Sequence, residues 1–145
     1  MRWTPEGFEE LGPGATEAPA STHVANRVSE AYRLKYRWRK FKFDVSWAYF
    51  QSNPMSKTNI WLELPPHMQP PGATKHTKLY RRLLKEVPDM KCGARSWFDT
   101  FEGWLKGDLG FVQSRIDKCL FFKFVNGKLV MYLTTHVDDG HGGGG

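Results

Sequence analysis

The chain has 145 residues, a formal net charge of +6 and 40% apolar residues, which suits one domain with a core of its own. No apolar run approaches the roughly 20 residues of a membrane-spanning helix, and the acidic, Pro- and Gly-containing start lacks the apolar stretch of a secretory signal. The two cysteines, Cys92 and Cys119, are too few for a disulfide scaffold, so the expectation is a reduced, intracellular protein, cytoplasmic or nuclear, with no membrane partner and a preference for polyanions.

Residues 1–20 carry Gly12-Pro13-Gly14 and Pro19 without hydrophobic periodicity, and read as a flexible lead-in. Ser21 or Thr22 can cap a helix on which Val24, Val28, Ala31 and Tyr32 recur at helical spacing. Arg33, Lys35, Arg37, Arg39, Lys40 and Lys42 follow with no acid among them, interleaved with Tyr32, Tyr36, Trp38, Phe41 and Phe43. Cations neutralise phosphates, and aromatic faces stack on bases. Alternation along a strand turns such aromatics inward instead. We assign the aromatics to packing, and Arg37, Arg39 and Lys40 to a nucleic-acid face.

Phe41–Val45 is a strand candidate with Asp44 near its end. Gln51–Asn59 is a polar turn region, and Ile60–Leu64 a short strand. Pro65, Pro66, Pro70, Pro71 and Gly72 make a loop that no regular element crosses. Leu79–Leu84 reads as a short helix or turn. Ala94–Leu109 is the clearest helix, with Trp97, Phe101, Trp104 and Leu105 on one stripe and Gly110 as its stop. Cys119–Val125 and Lys128–Val137 are strands joined by Asn126-Gly127, a strong hairpin signal. Residues 140–145 are glycine but for His141. With almost nothing to pack and a high ordering entropy, they are expected to form a tail, not a strand. The pattern is α+β, with helices packed on an antiparallel sheet.

The chemistry-bearing residues are acidic. Asp44 lies in Phe43-Asp44-Val45-Ser46-Trp47-Ala48-Tyr49-Phe50, and Asp138-Asp139 ends Thr135-His136-Val137-Asp138-Asp139. Three carboxylates brought to one spot repel each other unless they hold divalent cations. Two cations about 3.5–4 Å apart can clamp both oxygens of an in-line phosphoryl displacement. Hard oxygen ligands suit Mg²⁺, with Mn²⁺ also possible. By itself, Asp-Asp-Gly reads first as a turn in which Asp bonds its own backbone. His136 and His141 flank the pair, which leaves a Zn²⁺ or Mn²⁺ metallohydrolase as another reading.

Further blocks occur in a fixed order: Ile60-Trp-Leu-Glu-Leu-Pro-Pro66; Lys78-Leu79, then Met90-Lys91 and Ala94-Arg95-Ser-Trp97; and Gly110-Phe111, Ser114, Asp117 and Cys119-Leu-Phe121. With the acidic motifs they resemble, in order and spacing from about Ser21 to Asp139, the polymerase region of copia-type retrotransposon reverse transcriptases. The resemblance implies a reverse-transcriptase palm with part of the fingers, incomplete, spanning 21–139. It implies RNA-directed DNA synthesis with two Mg²⁺ ions, a primer–template of RNA and DNA, and deoxynucleotides as substrate.

By the same resemblance, Asp44 and Asp138 are the principal metal ligands and Asp139 a supporting one. Tyr49, where the family usually carries Phe, lies under the incoming sugar and excludes a 2′-OH. Lys91 and Arg95 can meet triphosphate or template, and they read equally as ordinary solvated charge at a helix start. Trp97, Gly110, Cys119 and Phe121 read as packing and turn residues. Asp89 stands in place of a family Gly, and His136 in place of a Tyr. The thumb and RNase H portions of a polyprotein are not among these blocks, so the implied polymerase is truncated and inactive alone. The alternative is a non-catalytic nucleic-acid-binding remnant using the basic face from Arg33 to Lys42.

Overall fold

Asn126 and Gly127 both adopt positive φ, 51° and 74°, the pair that a two-residue type I′ turn requires. They join β5 (Leu120–Val125) to β6 (Lys128–His136) in the register Val125↔Lys128 to Leu120↔Thr134, with one irregularity between Lys123 and Phe124. This hairpin is the centre of the molecule. The computed structural model describes residues 17–54, 60–72, 74, 78–87, 90 and 92–145. Asp89 and Lys91, and most of the expected lead-in, lie outside the described residues.

The short strand β4 (Val112–Gln113) pairs with β5 on one side. On the other side β6 pairs with β7 (Asp139–Gly144), which pairs in turn with β1 (Arg39–Asp44). The result is a five-stranded antiparallel sheet of order β1-β7-β6-β5-β4. Together with the helices it makes the α+β architecture that the sequence pattern anticipates.

β7 corrects the expectation of a glycine tail at residues 140–145. Rings of the neighbouring strand explain it. Phe43 lies over Gly140 and Phe41 over Gly142, so that a Cβ at either glycine would collide with a ring and with the carbonyl of Thr134 or Tyr132. Aromatic rings thus occupy the volume that β7's own side chains leave open. Ladders on both sides offset the ordering entropy.

Helix α3 (Gly93–Gly107) lies on one face of this sheet. Its Trp97, Phe101 and Leu105 are buried with Ala48, Phe121 and Leu133, flanked by Phe41, Phe43, Val45 and Phe111. Each such side chain, fully buried, stabilises by about 1.5–3 kcal/mol. Trp104 sits at the margin, about half exposed, stacked on Phe101 at a centroid distance of 5.9 Å. Gly110, at φ 62°, turns the chain out of the helix as expected.

Helix α1 (His23–Lys35) begins at Thr22, whose hydroxyl accepts from the Ala25 N–H at 3.1 Å. Its orientation corrects the predicted stripe. Val24 and Val28 are 71% and 63% exposed, whereas Ser29 is buried. Polar ties hold the helix at both ends. The Thr22 N–H and hydroxyl donate to Asp117 Oδ2, each at 2.8 Å. Near the other end the Arg33 guanidinium donates to both Glu30 oxygens and to the Trp38 carbonyl.

The remaining elements are small. Helix α2 (Ala48–Gln51) follows β1 directly, and residues 55–59 of the expected polar turn lie outside the described residues. β2 (Trp61–Glu63) pairs antiparallel with β3 (Tyr80–Arg82) in a separate two-stranded sheet. β3 replaces the short helix or turn expected at Leu79–Leu84. The ladder extends beyond the strands through Leu64 N–H to the Leu79 carbonyl and Leu83 N–H to the Ile60 carbonyl. A partner beyond the proline loop therefore decides the conformation, and no local pattern reveals it.

Candidate acidic site

Pairing of His136 with Asp139 leaves Val137 and Asp138 as a two-residue loop between β6 and β7. Of these two only Val137 has positive φ, at 54°. This is the pattern of a type II′ turn, whose first central position favours glycine. A β-branched residue there is an outlier, a conformation costing on the order of 1–3 kcal/mol. Two hydrogen bonds hold the loop. The indole N–H of Trp97 donates to the Val137 carbonyl at 2.7 Å. The Val45 N–H donates to the Asp138 carbonyl, also at 2.7 Å.

The register brings the predicted acids to one end of the sheet. Asp44 on β1 stands opposite Asp139 on β7, and Asp139 stands opposite His136 on β6. Directly paired residues share a face, so Asp44, Asp139 and His136 form one cross-strand row, with Asp138 beside it in the loop. All four are exposed. His136 Nδ1 lies 3.7 Å from Asp139 Oδ1. The next row on this face holds Lys42, His141 and Thr134. The imidazole of His141 is held below its ordinary pKa, first by burial and then by the charges of Lys40 and Lys42.

The donor chemistry suits Mg²⁺ or Mn²⁺, since the row and loop supply carboxylate oxygens from adjacent strands. Among the described residues no three His, Cys, Asp or Glu side chains are grouped closely enough to ligate one ion. Convergence on a shared cation therefore requires these exposed side chains to move from the positions described.

The other predicted site residues are more dispersed. Tyr49 lies on α2 with its ring against the start of α3, where a Cβ on Gly93 would come within 3.1 Å of it. Arg95, on the first turn of α3, bonds Asp99 at 2.9 Å. Lys91 lies outside the described residues. Arg37, Arg39 and Lys40 gather at the start of β1, with Arg39 about 17 Å along the strand from Asp44. They border an open groove of about 600 Å³ with Phe41, Val130, Met131, Gly144 and Gly145. Within this set Lys40 also pairs with Glu30 at 3.5 Å.

Two contributors escape a reading by motif. Trp97 belongs to the apolar stripe, and nothing in the sequence says that its N–H reaches the loop 40 residues on. Asp117 belongs to the Ser114–Cys119 block. Its carboxylate accepts from Thr22 and from the Cys119 N–H, which makes it a structural tie. The serine-to-aspartate spacing is the available signal, since Ser114 Oγ accepts from the Ile116 and Asp117 N–H groups as a turn-forming serine does. No helix among the described residues is long and apolar enough to cross a membrane. No family model matches the chain, and no solved structure matches it.

Proposed function

We propose that this chain is a palm portion of a copia-type RNA-directed DNA polymerase, with Asp44, Asp138 and Asp139 as its metal-binding acids. The observation that carries the reading is the register that sets Asp44 against Asp139 across β1 and β7, with Asp138 in the adjoining loop. Motifs nearly a hundred residues apart in sequence thereby meet at one end of one sheet. The local strain at Val137 accords with a functional loop, where such strain concentrates.

In this reading Asp44 and Asp138 are the principal ligands, and Asp139 supports them. Two bound divalent ions would supply activation of a primer 3′-OH and neutralisation of the leaving pyrophosphate. Tyr49, five residues after Asp44, would discriminate against a 2′-OH, and Arg95 with Lys91 would meet triphosphate or template. The partners are an RNA or DNA primer–template and deoxynucleotides. The resemblance assigns the primer grip to a thumb beyond the Asp-Asp block. These 145 residues alone are therefore expected to bind the ion without sustaining template-directed synthesis, because positioning supplies most of phosphoryl-transfer catalysis.

The test pairs Mn²⁺ titration, read by paramagnetic broadening of backbone resonances, with primer extension on an RNA template. Broadening centred on Val45, Asp138 and Asp139, and lost in Asp44→Asn, is the expected result. Uniform or absent broadening would overturn the assignment of the acids. Extension by the isolated chain that vanishes in Asp44→Asn would uphold the polymerase reading and overturn the expected inactivity.

A second reading has its own observation. Arg37, Arg39 and Lys40 border one groove with an apolar floor, a combination suited to a nucleic-acid backbone and an adjoining base. Such binding needs no metal, and it survives Asp44→Asn.

A further inference from the structure

Trp97 is buried at 4% exposure in the centre of the core, yet it carries a polar N–H. A buried indole N–H needs an acceptor. The one it meets belongs to Val137, the residue of the β6–β7 loop with the unfavourable positive φ. From the other side the Asp138 carbonyl is held by the Val45 N–H, one residue after Asp44. The two successive carbonyls of the acid-bearing loop are thus each tied at 2.7 Å, one to the core helix and one to the strand end that carries the partner acid.

The Val45 bond continues the β1–β7 ladder by one rung, whereas the Trp97 bond comes from outside the sheet. β7 has glycine at 140 and from 142 to 144, so side chains can do little to fix its register. Aromatic rings from β1 cover Gly140 and Gly142, but they lie on the face opposite Asp44 and Asp139. The Trp97 bond connects the loop to a helix anchored by Phe101 and Leu105 in the same core. It therefore transmits the rigidity of the core to a short, strained loop.

We propose that Trp97 is a positioning residue, whose indole N–H holds the Val137–Asp138 loop in its strained conformation and so sets where Asp138 and Asp139 stand relative to Asp44. The inference rests on the reading of these acids as a metal site, and it adds the group that orients them. Trp97 does not touch the ion. It acts through one carbonyl, as groups that orient metal ligands do, and loss of such groups typically costs 10- to 100-fold in metal affinity.

The experiment compares Trp97→Phe, which retains a ring but removes the donor, with Trp104→Phe, which removes an indole from the half-exposed margin of the same helix. Amide exchange is measured across the chain without metal, and Mn²⁺ affinity is measured by titration with the metal alone. In Trp97→Phe the Val45 amide is expected to exchange at least about 10-fold faster, while the amides of the β5–β6 hairpin change little. Mn²⁺ affinity falls by about 10- to 100-fold. Trp104→Phe leaves both unchanged.

Adding Val137→Gly, which removes the side-chain penalty at positive φ, is expected to restore most of the protection in the Trp97→Phe background. If Trp97→Phe does not fold, benzothienylalanine at position 97 keeps the shape of the ring, exchanges the N–H for sulfur, and gives the same readout. Unchanged exchange at Val45, or uniform acceleration over all strands, would overturn the positioning role. Absence of Mn²⁺ binding in the unsubstituted chain would overturn the metal-site reading instead, with the exchange measurement still deciding whether Trp97 holds the loop.

Discussion

Asp117 and Thr22 are 95 residues apart, yet one oxygen of the Asp117 carboxylate accepts both the backbone N–H and the hydroxyl of Thr22, each at 2.8 Å. The other oxygen accepts from the Cys119 N–H at 2.8 Å. One buried carboxylate thereby fixes the start of α1 against the entry to β5. Asp117→Ala is expected to destabilise the chain by roughly 2–3 kcal/mol, because charged hydrogen bonds are lost and donors are left without their acceptor. Urea unfolding gives the magnitude, and amide exchange should show α1 loosening before the β5–β6 hairpin. An unaltered unfolding midpoint would refute the role.

The glycines of β7 and α3 predict opposite outcomes. Gly142 lies under the Phe41 ring and against the Tyr132 carbonyl, so Gly142→Val must displace one of them. Overpacking of this kind typically costs about 1–3 kcal/mol. Gly103 has open space where a Cβ would go and sits within α3. Gly103→Ala is expected to stabilise by about 1 kcal/mol through helix propensity. Thermal or urea unfolding of the two variants checks the sign. A tolerated valine at 142 would mean that β7 is not inserted between β1 and β6.

Stability should fall in two stages on acidification. His141 is held below its ordinary 6.5, so the fold favours the neutral imidazole; its contribution is complete above about pH 6.5 and is lost as pH falls through the lower folded value. Glu30 is lowered from 4.5 to about 2, chiefly by its hydrogen bonds from Arg33. Its contribution is complete above about pH 4.5 and is lost towards pH 2. Unfolding midpoints measured against pH should lose the first stage in His141→Gln and the second in Glu30→Gln. A first stage that persists in His141→Gln would refute the attribution.

Nucleic-acid binding through the Arg37–Arg39–Lys40 groove should be weak, salt-sensitive and poor in sequence preference. Each alanine substitution among these three is expected to weaken binding uniformly across sequences and to reduce the logarithmic salt slope by about 1. Titration of a single-stranded oligonucleotide at several salt concentrations measures it. Affinity that stays constant between low and moderate salt would rule out the electrostatic reading.

What the sequence made legible follows a physical pattern. Asn126-Gly127 declared its turn, because few other residue pairs accept two positive φ values. The stripe from Trp97 to Leu105 declared α3, because a large apolar face has one use in water. The stripe on α1 misled, because Val24 and Val28 are few and small, while the Asp117 carboxylate holds the start of the helix from 95 residues away. β3 and β7 were illegible for a shared reason, in that their conformations are decided by partners distant in sequence. In the acidic site, motif spacing identified Asp44, Asp138 and Asp139 as candidates and the register brought them together. It could not disclose that Arg95 is engaged by Asp99, or that an indole holds the loop.

The placement of β7 also has a temporal consequence. β1 enters the large sheet through β7, and about 95 residues separate Asp44 from its opposite number, Asp139. At a synthesis rate of 5–20 residues per second, β1 leaves the ribosome roughly 5–20 s before its ladder partner exists. Throughout that interval its backbone groups form an unpaired edge bearing Phe41 and Phe43. The lysines and arginines of the same segment then have a second use. Arg39, Lys40 and Lys42 place repelling charge along the waiting strand, so that two nascent chains resist pairing with one another before β7 arrives.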